Sequence, residues 1–326
     1  MRYPSLSLFS LFFSVVSCYN IVDNFSGLTF FDDWDFYGNY DNLTLGDVVW
    51  LDEADAFTQQ LALVNAAGNV IIKVDNFSNV PFNQKRNSMG PSWPAGGEID
   101  IIEGINLDLN NQYALHTTPG CFHTTPPAQS GTSSMDDCSQ PSGCLVGENT
   151  PNSYQSGFAA AGGGVWAAQF DYTGIFIWFW SRPNVPASIT QSTATSSIDL
   201  SDWGPPSASY INSTCTIENF FGPQRMVIDI TLCGEYAGLP DKYLETCAGH
   251  GPTGICYNDN VVGPGNNYDD AYFELTYVRA YTTAAPGATG VAALGTNTSG
   301  VDKTIQWRWS SMLVVLGGMI AGMIIM

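Results

Sequence analysis

The sequence predicts an all-β fold, a sandwich or barrel of antiparallel sheets, and three observations support it. Short apolar runs rich in Ile, Val, Phe, Tyr and Trp recur along the chain, separated by clusters of Gly, Pro, Asn and Asp. No long stretch has the 3.6-residue period of an amphipathic helix. The 326 residues are 44% hydrophobic, which suffices for a sizeable core. Short strands at this spacing are typical of sandwiches and barrels.

The strand candidates can be named in chain order. They are the apolar runs at residues 70–74, 99–102, 175–180, 226–232 and 272–281. Long segments rich in Ser, Thr, Pro and Gly lie within residues 106–153 and 182–216. Loops of that length in a compact domain usually form a binding surface or are pinned by disulfides.

Charge is sparse and acidic. Only 12% of the residues are charged, and 10 Lys and Arg face 30 Asp and Glu, for a formal net charge of −20. Phosphate backbones would be repelled, so nucleic acid is excluded as a partner. A surface of hydroxyls, amides and aromatic rings suits sugars better. Three histidines and no Cys-X-X-Cys pair predict neither a metal site nor a cofactor.

Both ends of the chain are typical of processing signals. Residues 1–18 combine one basic residue, Arg2, with an apolar run, as in a secretory signal peptide. Residues 284–297 form an Ala/Gly/Thr-rich linker, and residues 298–326 end in an uncharged apolar tail. That order predicts a glycosylphosphatidylinositol (GPI) attachment signal, with a short retained tail anchor as the alternative. The expected location is the cell surface or cell wall, membrane-attached, with the domain at residues 19–283.

Secretion also agrees with the sequons and the cysteines. Removal of Cys18 with the signal would leave seven of the eight cysteines, so at least one thiol should lack an internal partner. Predicted glycosylation sites, each opening an Asn-X-Ser/Thr triplet, are Asn24, Asn42, Asn76 and Asn212, and Asn297 opens a fifth triplet.

Three acids in the segment GGEIDIIEG (96–104) are the main candidates for chemistry. In a regular strand Glu98 and Asp100 share a face, whereas Glu103 points the other way. One extra residue, a β-bulge after Asp100, would bring all three to one face and turn Ile99 and one of the next two isoleucines to the core. The alternative is a merely acidic strand face.

Such a trio fits a retaining glycosidase. One glutamate attacks the anomeric carbon, while the other protonates the leaving oxygen and later activates water. Asp100 can hydrogen-bond Glu98 and drive the pKa values of the carboxyls apart.

The segment WPAGGEIDIIEGIN (93–106) resembles the active-site strand of family 16 glycoside hydrolases, particularly fungal endo-1,3(4)-β-glucanases of the laminarinase type. The resemblance covers most of residues 19–283. Its further motifs keep one order along the chain: FYGNYDN, VVWLDEADA, ALHTT, NSYQSGFAAAGGGVWA, IWFWSRPNVP, SDWGPPSA, LCGEYAG and AYFELTYVRAY.

This resemblance implies a concanavalin A-like jelly-roll sandwich of two antiparallel sheets with a sugar cleft on its concave face. It implies Glu98 as nucleophile, Asp100 as its assistant and Glu103 as acid/base. It also implies substrate-binding roles for His116, on the neighbouring strand, and for the cleft aromatics Trp93 and Trp203, whose rings can stack on a pyranose. Core packing is the alternative for each tryptophan.

The resemblance breaks between Ser88 and Met89. Members of the family carry there several strands with a cysteine and a Trp-Pro-x-x-Trp segment, roughly 30–40 residues that this chain lacks. The predicted sandwich is therefore incomplete, and the missing cysteine would account for the odd count. Three functions remain open: hydrolysis of β-1,3 or mixed β-1,3/1,4 glucan, transglycosylation in the cell wall, or non-catalytic glucan binding.

Overall fold

Two layers of antiparallel sheet make up the protein, as the sequence predicts. The computed structural model describes residues 18–42, 44–88, 96–222, 224, 226–247, 251–283 and 312–318. Its strands are β1 (Cys18–Phe25), β2 (Val48–Trp50), β3 (Ala62–Val64), β4 (Val70–Lys73), β5 (Arg86–Ser88), β6 (Glu98–Glu103), β7 (Gln112–His116), β8 (Thr132–Ser133), β9 (Cys144–Gly147), β10 (Gly164–Asp171), β11 (Gly174–Ser181), β12 (Ile198–Asp199), β13 (Ala208–Ile211), β14 (Tyr272–Thr282) and β15 (Met312–Gly318).

Helices are short, in keeping with the missing amphipathic period. The described α-helices are α1 (Glu53–Thr58), α2 (Gln155–Ala160), α3 (Ala187–Thr190), α4 (Ile217–Phe220) and α5 (Pro240–Cys247). Asp52 caps α1, since its side chain accepts a hydrogen bond from the Asp55 amide at 2.9 Å. None of the helices among the described residues has the length and apolar character needed to traverse a bilayer.

The strands of the described chain form one large sheet, one small sheet and a separate pair. The large sheet has the order β12-β1-β14-β15-β10-β11-β13, with β4 beside β14 and β3 beside β4, and all its pairings are antiparallel. The small sheet, β6-β7-β9-β8, is antiparallel too. Strands β2 and β5 pair in parallel, because the intervening chain crosses to the large sheet to form β3 and β4.

The main core lies between the large and small sheets, and a second cluster covers the other face of the large sheet. Alternation along β10 shows the division, since Trp166 packs in the main core and Val165 in the outer cluster. On β6, Ile99, Ile101 and Ile102 all pack against the main core. The expectation that only one of the last two isoleucines would do so is therefore wrong.

Four of the five predicted strand runs are strands, but residues 226–232 are not. A strand needs a neighbour with which to exchange backbone hydrogen bonds. Within the described residues, β6 pairs only with β7, and the small sheet does not continue to β2 and β5. Among the described residues, the small sheet therefore ends at β6.

Disulfides pin the two long loop segments, which is one of the two roles expected for loops of that length. Cys121–Cys215 joins one segment to the other, Cys138–Cys144 closes a short loop, and Cys233–Cys256 links the chain before and after α5. All eight cysteines belong to the described chain. Cys247, buried at the end of α5, and exposed Cys18 are free. The prediction of an unpaired thiol among the seven cysteines that follow Cys18 is confirmed.

The predicted signal and linker segments lie outside the described residues, apart from Cys18, which opens β1. From the predicted GPI signal, only Met312–Gly318 is described. It forms β15, within the large sheet.

Candidate active site

The three acids of β6 are brought together by a β-bulge. Pairing with β7 sets Glu98 opposite His116 and Asp100 opposite Ala114, then resumes with Glu103 opposite Gln112. Two isoleucines therefore face one residue of β7, which shifts the alternation by one place. The predicted bulge is confirmed, and with it the placement of all three carboxylates toward one face.

Asn111, just before β7, holds the bulge from the side. Its Oδ1 accepts a hydrogen bond from the Glu103 amide at 3.0 Å, and its Nδ2 donates to the Ile101 carbonyl at 3.0 Å. The side chain is itself fixed, since Asn111 is only 1% exposed and its backbone amide donates to Ser153 Oγ at 2.9 Å. Because a bulge leaves backbone groups without ladder partners, this amide replaces the missing hydrogen bonds. Sequence reasoning did not single out Asn111.

The glycines on either side of the motif have steric reasons to be glycine. Gly97 has φ +81°, and a Cβ there would lie 2.6 Å from the Phe221 ring. A Cβ on Gly104 would lie 2.3 Å from the ring of Tyr154, whose hydroxyl donates to the Gly104 carbonyl at 3.0 Å. Both ends of β6 are thus fixed by close backbone contacts.

Asp100 holds its proton more strongly than an ordinary aspartic acid. Desolvation, followed by the charges of Glu103, Glu98 and Asp229 and a hydrogen bond with Glu98, raises its pKa well above the usual value. His116 Nε2 lies 3.5 Å from Asp100 Oδ2, and burial lowers the pKa of the imidazole despite the charge of Glu98. Burial thus favours the uncharged forms of both Asp100 and His116.

Glu103 has the properties of an acid that works near neutral pH. Desolvation raises its pKa to about 7; the hydrogen bond from Gln112 Nε2, at 2.9 Å, opposes the rise, and the charges of Glu98 and Asp108 add to it. Gln112 is oriented in turn by Tyr236, whose hydroxyl accepts from the same nitrogen at 3.3 Å. A carboxyl poised in this way can both give and take a proton.

A fourth acid, Asp229, joins the cluster from the 226–232 segment. Desolvation, followed by the charges of Asp41 and Glu98, raises its pKa to about 7. Asp41 is buried and accepts from the Gly46 amide at 3.0 Å and from Thr231 Oγ1 at 2.7 Å. No local pattern singles out Asp229, because the residue reaches the site from a distant part of the chain.

The predicted aromatic and histidine sites have different outcomes. His116 lies beside Asp100 on the neighbouring strand, as expected. Trp203 is 3% exposed and packs in the outer cluster, with ring centroids 5.3 Å from Trp178 and 5.1 Å from Trp180. That cluster covers the face of the large sheet that points away from the small sheet. The prediction of Trp203 as a sugar-stacking residue is therefore wrong. Trp93 lies outside the described residues.

The ligand atoms of Glu98, Asp100 and His116 lie within 4.8 Å of one another, close enough to meet a cation. The raised pKa of Asp100 opposes cation binding there, because a carboxyl must be deprotonated to bind a metal ion. The sequence-based expectation of no metal and no cofactor stays a prediction.

Comparisons with known proteins agree with this geometry. Residues 88–281 match the family described as XgeA-like, catalytic GH16 domain. A probable glycosidase of Schizosaccharomyces pombe is 30% identical over 304 residues, which cover 81% of this chain and 69% of that protein. A probable endo-1,3(4)-beta-glucanase of Neosartorya fischeri is 29% identical over 88% of this chain and 49% of its own length. The chain spans about half the length of several of the curated relatives it matches.

Solved structures show the same fold. An elongating GH family 16 beta-1,3-glucosyltransferase matches with a TM-score of 0.73 and 30% identity, over 81% of this chain and 100% of its own. The GH16 laminarinase 16A of Phanerochaete chrysosporium, with beta-glucans in its donor and acceptor sites, matches with a TM-score of 0.73 and 26% identity, over 81% of this chain and 99% of its own. The family match covers more than half of the chain and includes the bulged acidic strand. This chain belongs to glycoside hydrolase family 16, in its XgeA-like group.

Proposed function

We propose that this chain is a β-glucan-active glycoside hydrolase that cleaves β-1,3 or mixed β-1,3/1,4 linkages with retention of configuration. Glu98 attacks the anomeric carbon, and Asp100 holds Glu98 through their hydrogen bond. Glu103 protonates the departing oxygen and then removes a proton from the water that releases the sugar. The endo-1,3(4)-beta-glucanases among the relatives and the laminarinase structure support this substrate class.

The bulge in β6 is the observation that carries the proposal. Glu98 and Glu103 stand roughly 13 Å apart at their Cα atoms, four pleat steps along one face. Two glutamate side chains can lean together from there to the carboxyl separation of about 5 Å that retention requires. The pKa of about 7 for Glu103 suits the residue that must protonate a leaving group.

The test is to assay Glu98→Ala and Glu103→Ala on laminarin and lichenan, with Glu218→Ala as control because Glu218 is an exposed glutamate outside the site. Each site variant should lose nearly all activity, and the control none. Azide should rescue Glu98→Ala with an inverted product, and Glu103→Ala with a retained one on an activated substrate. The opposite pattern would exchange the two roles, and early release of the α anomer in NMR would refute retention.

Transglycosylation is the second candidate, favoured by the 30% identity to an elongating glucosyltransferase. In that reaction a sugar hydroxyl replaces water in the second step. Chromatography of laminari-oligosaccharide digests distinguishes the two, since transfer yields products longer than the substrate. Binding of laminarin without turnover by the unaltered chain would instead support the third reading, a non-catalytic glucan-binding protein.

We further propose that the protein is secreted and glycosylated. Disulfides and the apolar N-terminal segment support secretion. Asn42 is the best placed sequon because it is exposed, whereas Asn24 and Asn76 are half-buried and donate side-chain hydrogen bonds to Ser26 and Asp269. We also propose that the apolar tail is removed and replaced by a glycolipid, which would attach the protein to the cell surface. Mass spectrometry of the secreted protein would reveal both modifications.

A further inference from the structure

The segment Met312–Gly318 occupies a central position in the large sheet. It runs antiparallel to both neighbours, opposite Gly164–Phe170 of β10 on one side and Leu275–Thr282 of β14 on the other. Both registers place Met312 at one end of the sheet and Gly318 at the other. A strand in this position supplies hydrogen-bond partners to two strands at once.

Side chains from this segment enter the hydrophobic layers on both faces of the sheet. Val315 is 1% exposed and packs in the outer cluster, near Trp178 and Tyr281. Leu316 is 7% exposed and packs in the main core between the sheets. Burial on both faces is typical of a central strand and explains why the sequence there is continuously apolar rather than alternating.

Without the segment the large sheet would be open in its middle. Neighbouring strands lie about 4.8 Å apart, so its removal leaves a slot of about 10 Å between β10 and β14. Backbone N–H and C=O groups along both edges would lose their partners, and both hydrophobic layers would be opened. The slot has the width and the exposed edges to accept one strand.

The two chain ends that the connection to this segment must join lie next to each other. Thr282, at the end of β14, is the register partner of Met312, the first residue of β15. Closing a connection of this length costs little more than closing a shorter one. The apolar segment therefore reaches the slot within its own molecule.

We propose that the slot between β10 and β14 is a strand-acceptor site, and that Met312–Gly318 of the same chain is its resident strand. The sheet carries this inference, whereas its consequence for processing rests on the glycolipid attachment proposed above. A molecule whose tail is removed for that attachment loses β15. A molecule then either keeps β15 in the large sheet or loses it and becomes anchored.

The first test is cross-linking in the full chain. Ala168 and Val314 are register partners on β10 and β15, and directly opposed residues of antiparallel strands have Cα separations that suit a disulfide. Ala168→Cys with Val314→Cys should form an intramolecular disulfide, identified in non-reduced peptide maps. Ala168→Cys with Gly318→Cys is the matched control, because Gly318 lies opposite Gly164, four residues away along β10. Equal cross-linking of both pairs would overturn the register, and a cross-link between two molecules would assign the slot to a second copy.

The second test removes or alters the strand. Leu316→Asp should lower the unfolding midpoint by about 10 °C, because it places a carboxylate in the core. Leu28→Asp, at an exposed leucine, should change the midpoint by less than about 2 °C. Truncation after residue 297 should accelerate hydrogen exchange at the β10 and β14 amides that face the slot at least tenfold. A soluble peptide containing residues 312–318 should restore the protection, and a scrambled peptide should not. Unchanged exchange after truncation would overturn the proposal, as would equal effects of the two aspartate variants.

Discussion

Replacing Gln112 by methionine should raise the pKa of Glu103. The Gln112 amide donates to Glu103 Oε2 at 2.9 Å and stabilises the ionised carboxylate, so it holds the pKa below the value that burial alone would impose. Methionine has a similar length, fills a similar volume and has no N–H to donate. The variant therefore removes one hydrogen bond with little change in packing.

The size of the effect follows from the strength of that bond. A hydrogen bond to a charged group contributes about 1.5–3 kcal/mol, and one pKa unit corresponds to 1.36 kcal/mol. Full loss of this hydrogen bond would raise the pKa of Glu103 by about 1–2 units. Because Glu103 is half-buried, water can replace part of the lost interaction. We expect an increase from about 7 to about 8.

The measurement is a carbon-13 NMR titration of labelled glutamate side chains, with Glu103→Gln identifying the resonance. It does not depend on activity. Where turnover is measurable, the alkaline limb of kcat/KM should move to higher pH by the same amount, because the acid must be protonated in the free enzyme.

The matched control is Tyr236→Phe, which removes the hydroxyl that accepts from the same Gln112 nitrogen but does not bond Glu103. Its titration should move by less than about 0.3 unit. An unchanged or lowered pKa of Glu103 in the Gln112→Met variant would refute the assignment of this hydrogen bond to the ionised carboxylate.

Three further predictions concern stability. The folded pKa of Glu103 is about 7 and the unfolded value about 4.3, so the unfolding free energy should fall as the pH rises from 5 to 7. The fall should be at most about 3 kcal/mol, and less after solvent screening. In urea titrations, Glu103→Gln should show a shallower fall than the unaltered protein. Gly104→Ala should cost about 1–3 kcal/mol through its clash with Tyr154, whereas Gly222→Ala, with 3.9 Å of room, should be tolerated in thermal melts. Trp203→Ala should cost about 3–5 kcal/mol without changing KM for laminarin; a raised KM at unchanged stability would return the ring to the cleft.

Local patterns were enough to predict the strand that carries the chemistry. The spacing of Glu98, Asp100 and Glu103 conflicts with a regular two-residue alternation, and the bulge is the local conformation that resolves the conflict. The glycines that end the motif were also visible in the sequence. Their reasons, contacts with Phe221 and Tyr154, depend on chain segments far from β6.

Residues that reach the site from a distance were not predictable in the same way. Asn111 and Asp229 have no neighbouring pattern that marks them, and their roles arise only when β7 and the 226–232 segment come to lie near β6. The prediction for Trp203 failed for a different reason: the residue was singled out, but for the wrong role. An aromatic ring has the same apolar surface in a cleft and in a core, so the residue type could not tell one from the other.

The sequence by itself determined the β class, the acidic strand with its bulge and the unpaired cysteine, because these follow from residue types, their local spacing and a count of cysteines. Only the tertiary structure decided which face of the large sheet holds Trp203 and where the apolar segment Met312–Gly318 lies. An uncharged apolar run is equally compatible with a membrane-directed signal and with a central β-strand. The choice between them depends on whether two strands elsewhere in the chain leave a space of one strand's width, and that is a property of the folded sheet.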